Sequence, residues 1–198
     1  MIAGIILSAG LSSRMGTPKA LLELRGETFL SRAVAALRAG GCEPVIVVVG
    51  PREDPDASAI AHLAASLGAG IAINPIPGSE QIDSLRHGLS GITGVPEAVV
   101  VTPVDAPDTP GDVVEQLITA VRDGGAIALP VYNGRRGHPL VIRGELIGEV
   151  MENELPEGMR TLLRRHTDRI VEVTTDTSGV LLDVDTPEDY RKLITGQP

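Results

Sequence analysis

A chain of 198 residues with 42% hydrophobic residues carries enough apolar mass to bury a full core, which excludes a chain disordered throughout. Its net charge of −9, from 26 acidic and 17 basic residues, with only 2% aromatics, argues against a general nucleic-acid binder, which needs a basic face and stacking rings. The single cysteine, Cys42, excludes an internal disulfide and a cysteine-rich metal site, and its apolar neighbourhood predicts a core thiol rather than a reactive one.

Short apolar runs at Ile2–Leu7, Val45–Val49, Gly70–Ile73, Ala98–Val104 and Ala126–Val131 are continuous rather than alternating, which predicts strands buried on both faces. Helical patterns fill the gaps at 28–38, 57–67, 81–89 and 111–122. Alternation at this length predicts an α/β fold, a three-layer sandwich with a mostly parallel sheet, organised as one domain over 1–198. Further on, 139–142 reads as a strand, 144–150 and 159–166 as helices, 170–173 as a strand and 180–184 as a last short strand. A final helix at 187–194, with Pro187 in its first turn, is capped by Asp185 or Thr186. No segment approaches the ~20 apolar residues of a membrane span. The N-terminal run lacks a basic leader and is shorter than a signal core, so a cytoplasmic protein is expected.

In such sheets ligands bind beyond the carboxyl ends of the strands. The first strand runs straight into Ser8-Ala9-Gly10-Leu11-Ser12-Ser13-Arg14-Met15-Gly16-Thr17-Pro18-Lys19. Small residues let backbone N–H groups approach phosphate oxygens, and Arg14 and Lys19 offset their charge, so this loop suits a polyphosphate. It is not a Walker loop, because five residues separate Gly10 from Gly16 and Lys19 does not follow directly, and no Gly-x-Gly-x-x-Gly can be read through it. The expected nucleotide contacts here are Leu7, Ser8, Ala9, Gly10, Ser12, Ser13 and Gly16.

Asp105 closes the run Val99–Val104, where a carboxylate beside a phosphate loop can hold Mg²⁺ against phosphate oxygens; a turn or capping role before Pro110 is the alternative. In an extended chain Asp183 and Asp185 point to the same face, so either could join Asp105 at one ion, unless Asp185 serves only as a helix cap. The segment from Pro77 to Leu89 begins a helix: Gly78 and Ser79 allow close backbone approach, Ser84 adds a hydroxyl, Leu85 and Leu89 read as core, and Arg86 and His87 as a solvated face. The glycine-spaced basic loop Asn133–Pro139 offers Arg135, Arg136 and His138 to a phosphorylated acceptor; an exposed hairpin with solvated arginines is the alternative.

Leu7, Ala9, Gly10, Ser12, Arg14, Met15, Gly16 and Lys19 fit the pattern Leu-x-(Ala/Gly)-Gly, then Ser-x-Arg-Met-Gly, then Lys. In this the chain resembles the molybdenum cofactor guanylyl- and cytidylyltransferase family, nucleotidyltransferases of the glycosyltransferase-A-like, Rossmann-like fold. The resemblance implies a Mg²⁺-dependent enzyme, with Mn²⁺ as a substitute, that uses a nucleoside triphosphate. It implies Asp105 as a metal ligand in an Asp-x-Pro setting, and reads Asp183–Asp189 as the family's terminal signature. It places Ser79 and Ser84 near the base and ribose, through Ser-x-Leu-x-x-Gly-Leu, and Gly137-His138-Pro139 on the acceptor side. Ala9 before Gly10 looks like the cytidylyl form of the loop, so CTP is favoured over GTP, with a pterin-type phosphorylated acceptor. Val104 departs from the cytidylyltransferases, which often carry a polar residue or Gly there. The segment Glu157-Gly158-Met159-Arg160 is similar to a family Gly-x-Arg element but has Glu where Asp is expected. Catalysis would rest on Arg14, Lys19 and Asp105. The expected protein is a monomer that contacts a molybdoenzyme transiently and binds neither nucleic acid nor membrane. The rival readings are a guanylyltransferase of the same fold, a non-catalytic nucleotide-binding protein, and a nicotinamide oxidoreductase. The last would need an acid closing the second strand, where Gly50-Pro51-Arg52 stands instead.

Overall fold

The computed structural model describes residues 1–10, 15–152 and 155–196. Its strands and helices are β1 (Ile2–Leu7), β2 (Glu23–Leu24), β3 (Glu27–Thr28), α1 (Phe29–Ala39), β4 (Val45–Val49), α2 (Pro55–Ser66), β5 (Gly70–Ile73), α3 (Gln81–Ser90), β6 (Ala98–Pro103) and α4 (Gly111–Arg122). They continue with β7 (Ile127–Tyr132), β8 (Arg135–Arg136), β9 (Leu140–Arg143), α5 (Ile147–Met151), α6 (Met159–Arg165), β10 (Ile170–Thr174) and α7 (Pro187–Thr195).

One sheet runs in the order β10-β7-β9-β6-β1-β4-β5, with β8 attached to β7. The pairs β1–β4, β1–β6, β4–β5 and β7–β10 are parallel, and β9 runs antiparallel between β6 and β7. The core divides by residue parity. Ile2 and Ile6 of β1, with Val45, Val47 and Val49 of β4, face α1, α2 and α4; Ala3 and Ile5, with Ile46 and Val48, face α3, α5 and α6. Both faces of these strands are therefore covered, which is why their sequences run apolar without alternation. Each fully buried Val, Leu or Ile contributes roughly 1.5–3 kcal/mol relative to exposure.

Local signals start the helices. Thr28 caps α1 by accepting from the Ser31 N–H, and Asp54 caps α2 ahead of Pro55. Thr186, rather than Asp185, caps α7, in a reciprocal box with Asp189.

Three elements differ from the sequence expectation. The two-residue strands β2 and β3 form a hairpin across Arg25 and Gly26, both at positive φ, and are too short for any hydrophobic period to reveal. Residues 144–150 are not one helix: a 3-10 turn over Gly144–Leu146 leads into α5. The expected strand at 180–184 is replaced by a 3-10 turn, Ser178–Leu181, followed by extended chain. Thr177 starts that turn by accepting from the Gly179 N–H, and both sides of β7 are already taken by β10 and β9. Val180 and Val184 are buried in the core all the same, and Leu181 and Leu182 are half-buried against it.

Candidate functional site

The carboxyl ends of β1, β4 and β6 open onto one cleft of about 600 Å³. At its floor the chain leaves β1 through Ser8, whose N–H donates to the Val48 carbonyl, while the Val104 N–H donates to the Leu7 carbonyl. These bonds lock the start of the Gly10 loop to β4 and to the turn that carries Asp105. Leu7, Ser8, Ala9, Gly10 and Gly16 all line the cleft. Ser12, Ser13 and Arg14 lie outside the described residues.

Lys19 opens a 3-10 turn, Lys19–Leu21, whose Ala20 is anchored in the core. Its Nζ donates to Asp105 Oδ2 at 2.8 Å and to Asp185 Oδ1 at 2.6 Å. Oxygens of Asp105, Asp183 and Asp185 lie within 4.8 Å of one another. Although Asp183 keeps an exposed surface, partial loss of its hydration beside the protein pushes the carboxyl above the usual carboxylate range, and repulsion from Asp105 and Asp185 adds to it. Burial alone would lower the Lys19 ammonium, but its bonds to Asp105 and Asp185 outweigh that and hold it above the ordinary lysine value.

Backbone contacts deliver the two C-terminal acids to Asp105. A Cβ on Gly179 would stand 2.1 Å from the Asp108 carbonyl oxygen, and one on Gly137 would stand 2.2 Å from the Val180 carbonyl oxygen. Only glycine permits either approach. The His138 N–H then donates to the same Val180 carbonyl. From the other side Arg32 fixes the loop after Asp105, donating to the Pro107 carbonyl and to Asp108 Oδ1 at 2.6 Å. Beyond the turn, Val184 points into the core while Asp183 and Asp185 stay exposed, so the two-residue alternation holds although the segment is not a strand.

Ser79 and Ser84 line another wall of the cleft. Sequence reasoning missed what holds them: Asn74, buried just past β5, donates to Ser79 Oγ at 2.7 Å and Ser84 Oγ at 2.9 Å. Its carbonyl oxygen accepts from the Ile76 N–H, which fixes the amide's orientation and leaves each serine its own proton to donate. An Asn-Pro pair directly after an apolar run was the available signal. Asp54 and Asp56, at the start of α2, were also missed as lining residues.

The basic loop is less concentrated than its sequence suggests. Arg135 and Arg136 form β8 across an Asn133-Gly134 turn, and Arg136 is paired with Glu172 of β10. His138 lies near enough to Asp105 to sense its charge. The residue keeps an exposed surface, but desolvation by the protein around it holds the imidazole below the ordinary histidine range, opposed by Asp105. Arg86, expected on a solvated face, instead donates to the Val150 carbonyl and ties α3 to α5.

A helix-covered parallel sheet with a Gly/Ser loop, a lysine and three carboxylates at the strand ends has the layout of a nucleotide-handling α/β enzyme. The chain belongs to the MobA-like NTP transferase domain family, whose model matches residues 4–170, and it is a nucleotidyltransferase. It is similar to the molybdenum cofactor guanylyltransferase of Rhizobium meliloti (strain 1021), 29% identical over 95% of this chain and 88% of that one. It is as similar to the nicotine blue oxidoreductase of Paenarthrobacter nicotinovorans, 29% identical over 98% and 96% of the two chains. The molybdenum cofactor cytidylyltransferase of Escherichia coli (strain K12) is 29% identical over 94% and 92%. Among solved structures, Rv0371c from Mycobacterium tuberculosis H37Rv in complex with manganese superposes with a TM-score of 0.78 at 26% identity, covering 98% of each chain. Among the described residues, no helix is long and apolar enough to cross a membrane.

Proposed function

We propose that this nucleotidyltransferase moves a CMP unit from CTP to a phosphorylated, pterin-type acceptor and releases pyrophosphate. The observation that carries the reading is the convergence of Lys19, Asp105, Asp183 and Asp185 beside the loop that follows β1. Three carboxylates within reach of one point form an all-oxygen donor set, which suits a hard divalent cation such as Mg²⁺ or Mn²⁺. Asp105 would hold it together with Asp183 or Asp185. When bound, such an ion neutralises charge on the phosphate oxygens.

The Gly10 loop cradles the triphosphate through backbone N–H groups, and Arg14 and Lys19 bind its β- and γ-phosphates. Ser79 and Ser84, oriented by Asn74, offer hydroxyl protons to the base and ribose. On the other flank His138 and Arg135 receive the acceptor phosphate, and Arg136 joins them by leaving Glu172. An acceptor phosphate oxygen attacks the α-phosphorus in line, the bond to the α,β-bridging oxygen breaks, and pyrophosphate carries away the electron pair. An ionised phosphate needs no general base, so positioning and charge neutralisation supply the catalysis. Ala9 supports the choice of CTP; the guanylyltransferase relative favours GTP as the second reading. A single domain acting as a cytoplasmic monomer, with a molybdoenzyme receiving the product, completes the proposal.

Pyrophosphate release measured with Mg²⁺ and molybdopterin, with CTP and GTP in separate reactions, tests it. Release with CTP is expected. Release with GTP alone would transfer the assignment to the guanylyl branch, and release with neither would overturn it.

A further inference from the structure

The Lys19 ammonium lies among the carboxylates that would bind the metal. Its Nζ is 2.6 Å from Asp185 Oδ1 and 2.8 Å from Asp105 Oδ2, and one oxygen from each of Asp105, Asp183 and Asp185 falls within 4.8 Å of the others. Mg²⁺ takes oxygen ligands at about 2.0–2.1 Å, so an ion drawn to Asp105 and Asp185 competes with the ammonium for the oxygens it now holds. The lysine side chain is 16% exposed and that of Asp105 is 19% exposed, so solvent screens this pair less than a surface pair.

We infer that Lys19 is a built-in stand-in for the divalent ion: its ammonium occupies the acidic seat in the free protein and must withdraw before the ion enters. The inference deepens the proposed function, because a triphosphate supplies the oxygens to which Lys19 withdraws. Substrate and ion uptake are then coupled through one side chain. The free protein is a poor metal binder, and the nucleotide both brings phosphate ligands and releases the protein's own.

The usual expectation is that losing an active-site lysine leaves metal affinity alone or weakens it; here the sign is reversed. Mn²⁺ binding, read from the electron paramagnetic resonance of the free ion without any nucleotide, should tighten by about tenfold or more in Lys19→Gln, since one positive charge a few ångströms from the ion is removed. Lys192→Gln, which removes an exposed lysine paired with Glu188 on α7, controls for net charge and should change the affinity less than twofold. An unchanged or weaker Mn²⁺ affinity in Lys19→Gln overturns the inference. Should that variant not fold, the wild type answers alone. The chain has only two lysines, so lysine side-chain NMR resolves Lys19 from Lys192. Added Mg²⁺ should shift the Lys19 signal and leave that of Lys192 in place, and a Lys19 signal that stays still through the titration counts against displacement. Both readouts use the metal alone, so failed transfer with CTP and GTP would sink the proposed function and leave these results standing.

Discussion

Asp105 is the side chain on which most of the cleft's electrostatics turn: it accepts from Lys19, repels Asp183 and reaches the His138 ring with its field. Asp105→Asn keeps the shape and removes the charge. Turnover is expected to fall by about 10²–10³-fold, the scale typical of losing one transition-state charge contact, while stabilisation by the bound triphosphate in a thermal melt persists. Loss of both together would mean that Asp105 builds the cleft rather than acting in it. At this scale the sequence was informative wherever chemistry constrains residue type and spacing. Lys19 and Asp105, 86 positions apart, were readable as neighbours of one cleft because Asp105 ends an apolar run and Lys19 closes the loop that follows another. Asn74 was not, because a buried amide acts through two serines that only the fold brings to it.

Among the elements, the turn at Ser178–Leu181 decides whether the acids meet. Gly179 lies against the Asp108 backbone, and an added methyl would stand 2.1 Å from its carbonyl oxygen, an atom that cannot rotate away. Gly179→Ala should therefore lift the turn, at a cost of about 1–3 kcal/mol. Mn²⁺ affinity should drop along with stability as Asp183 and Asp185 retreat from Asp105, while circular dichroism retains the sheet. Full metal affinity in a destabilised Gly179→Ala protein would show that the acids are held by something else. The sequence placed β1, β4, β5 and α4 at their observed ends, because short apolar runs and helical periodicity are local signals. It misassigned 180–184 for an equally physical reason: a buried apolar run records burial, and whether a sheet partner is free depends on the rest of the topology.

For the molecule as a whole, Cys42 reports cooperativity. It is 1% exposed beneath β1, and burial pushes its thiol up to about 12. A free thiol reacts near pH 8; this one should stay silent toward a disulfide reagent until the fold opens. Labelling in rising urea should follow the same denaturant slope as global unfolding, and fast labelling in native buffer would reveal a separately opening N-terminal half. The doubly covered sheet was legible from composition and alternation alone, and so was a cleft at its carboxyl edge. The proposed base contacts were harder to read, since Ser79 and Ser84 come from the loop after β5 and from α3 and are held by Asn74. The acidic cluster joins Lys19 to Asp185 across 166 positions. On the ribosome, a nascent chain can assemble β1, β4 and β6 and their helices long before Asp183 emerges. The three acids and their lysine therefore come together only once the last turn docks.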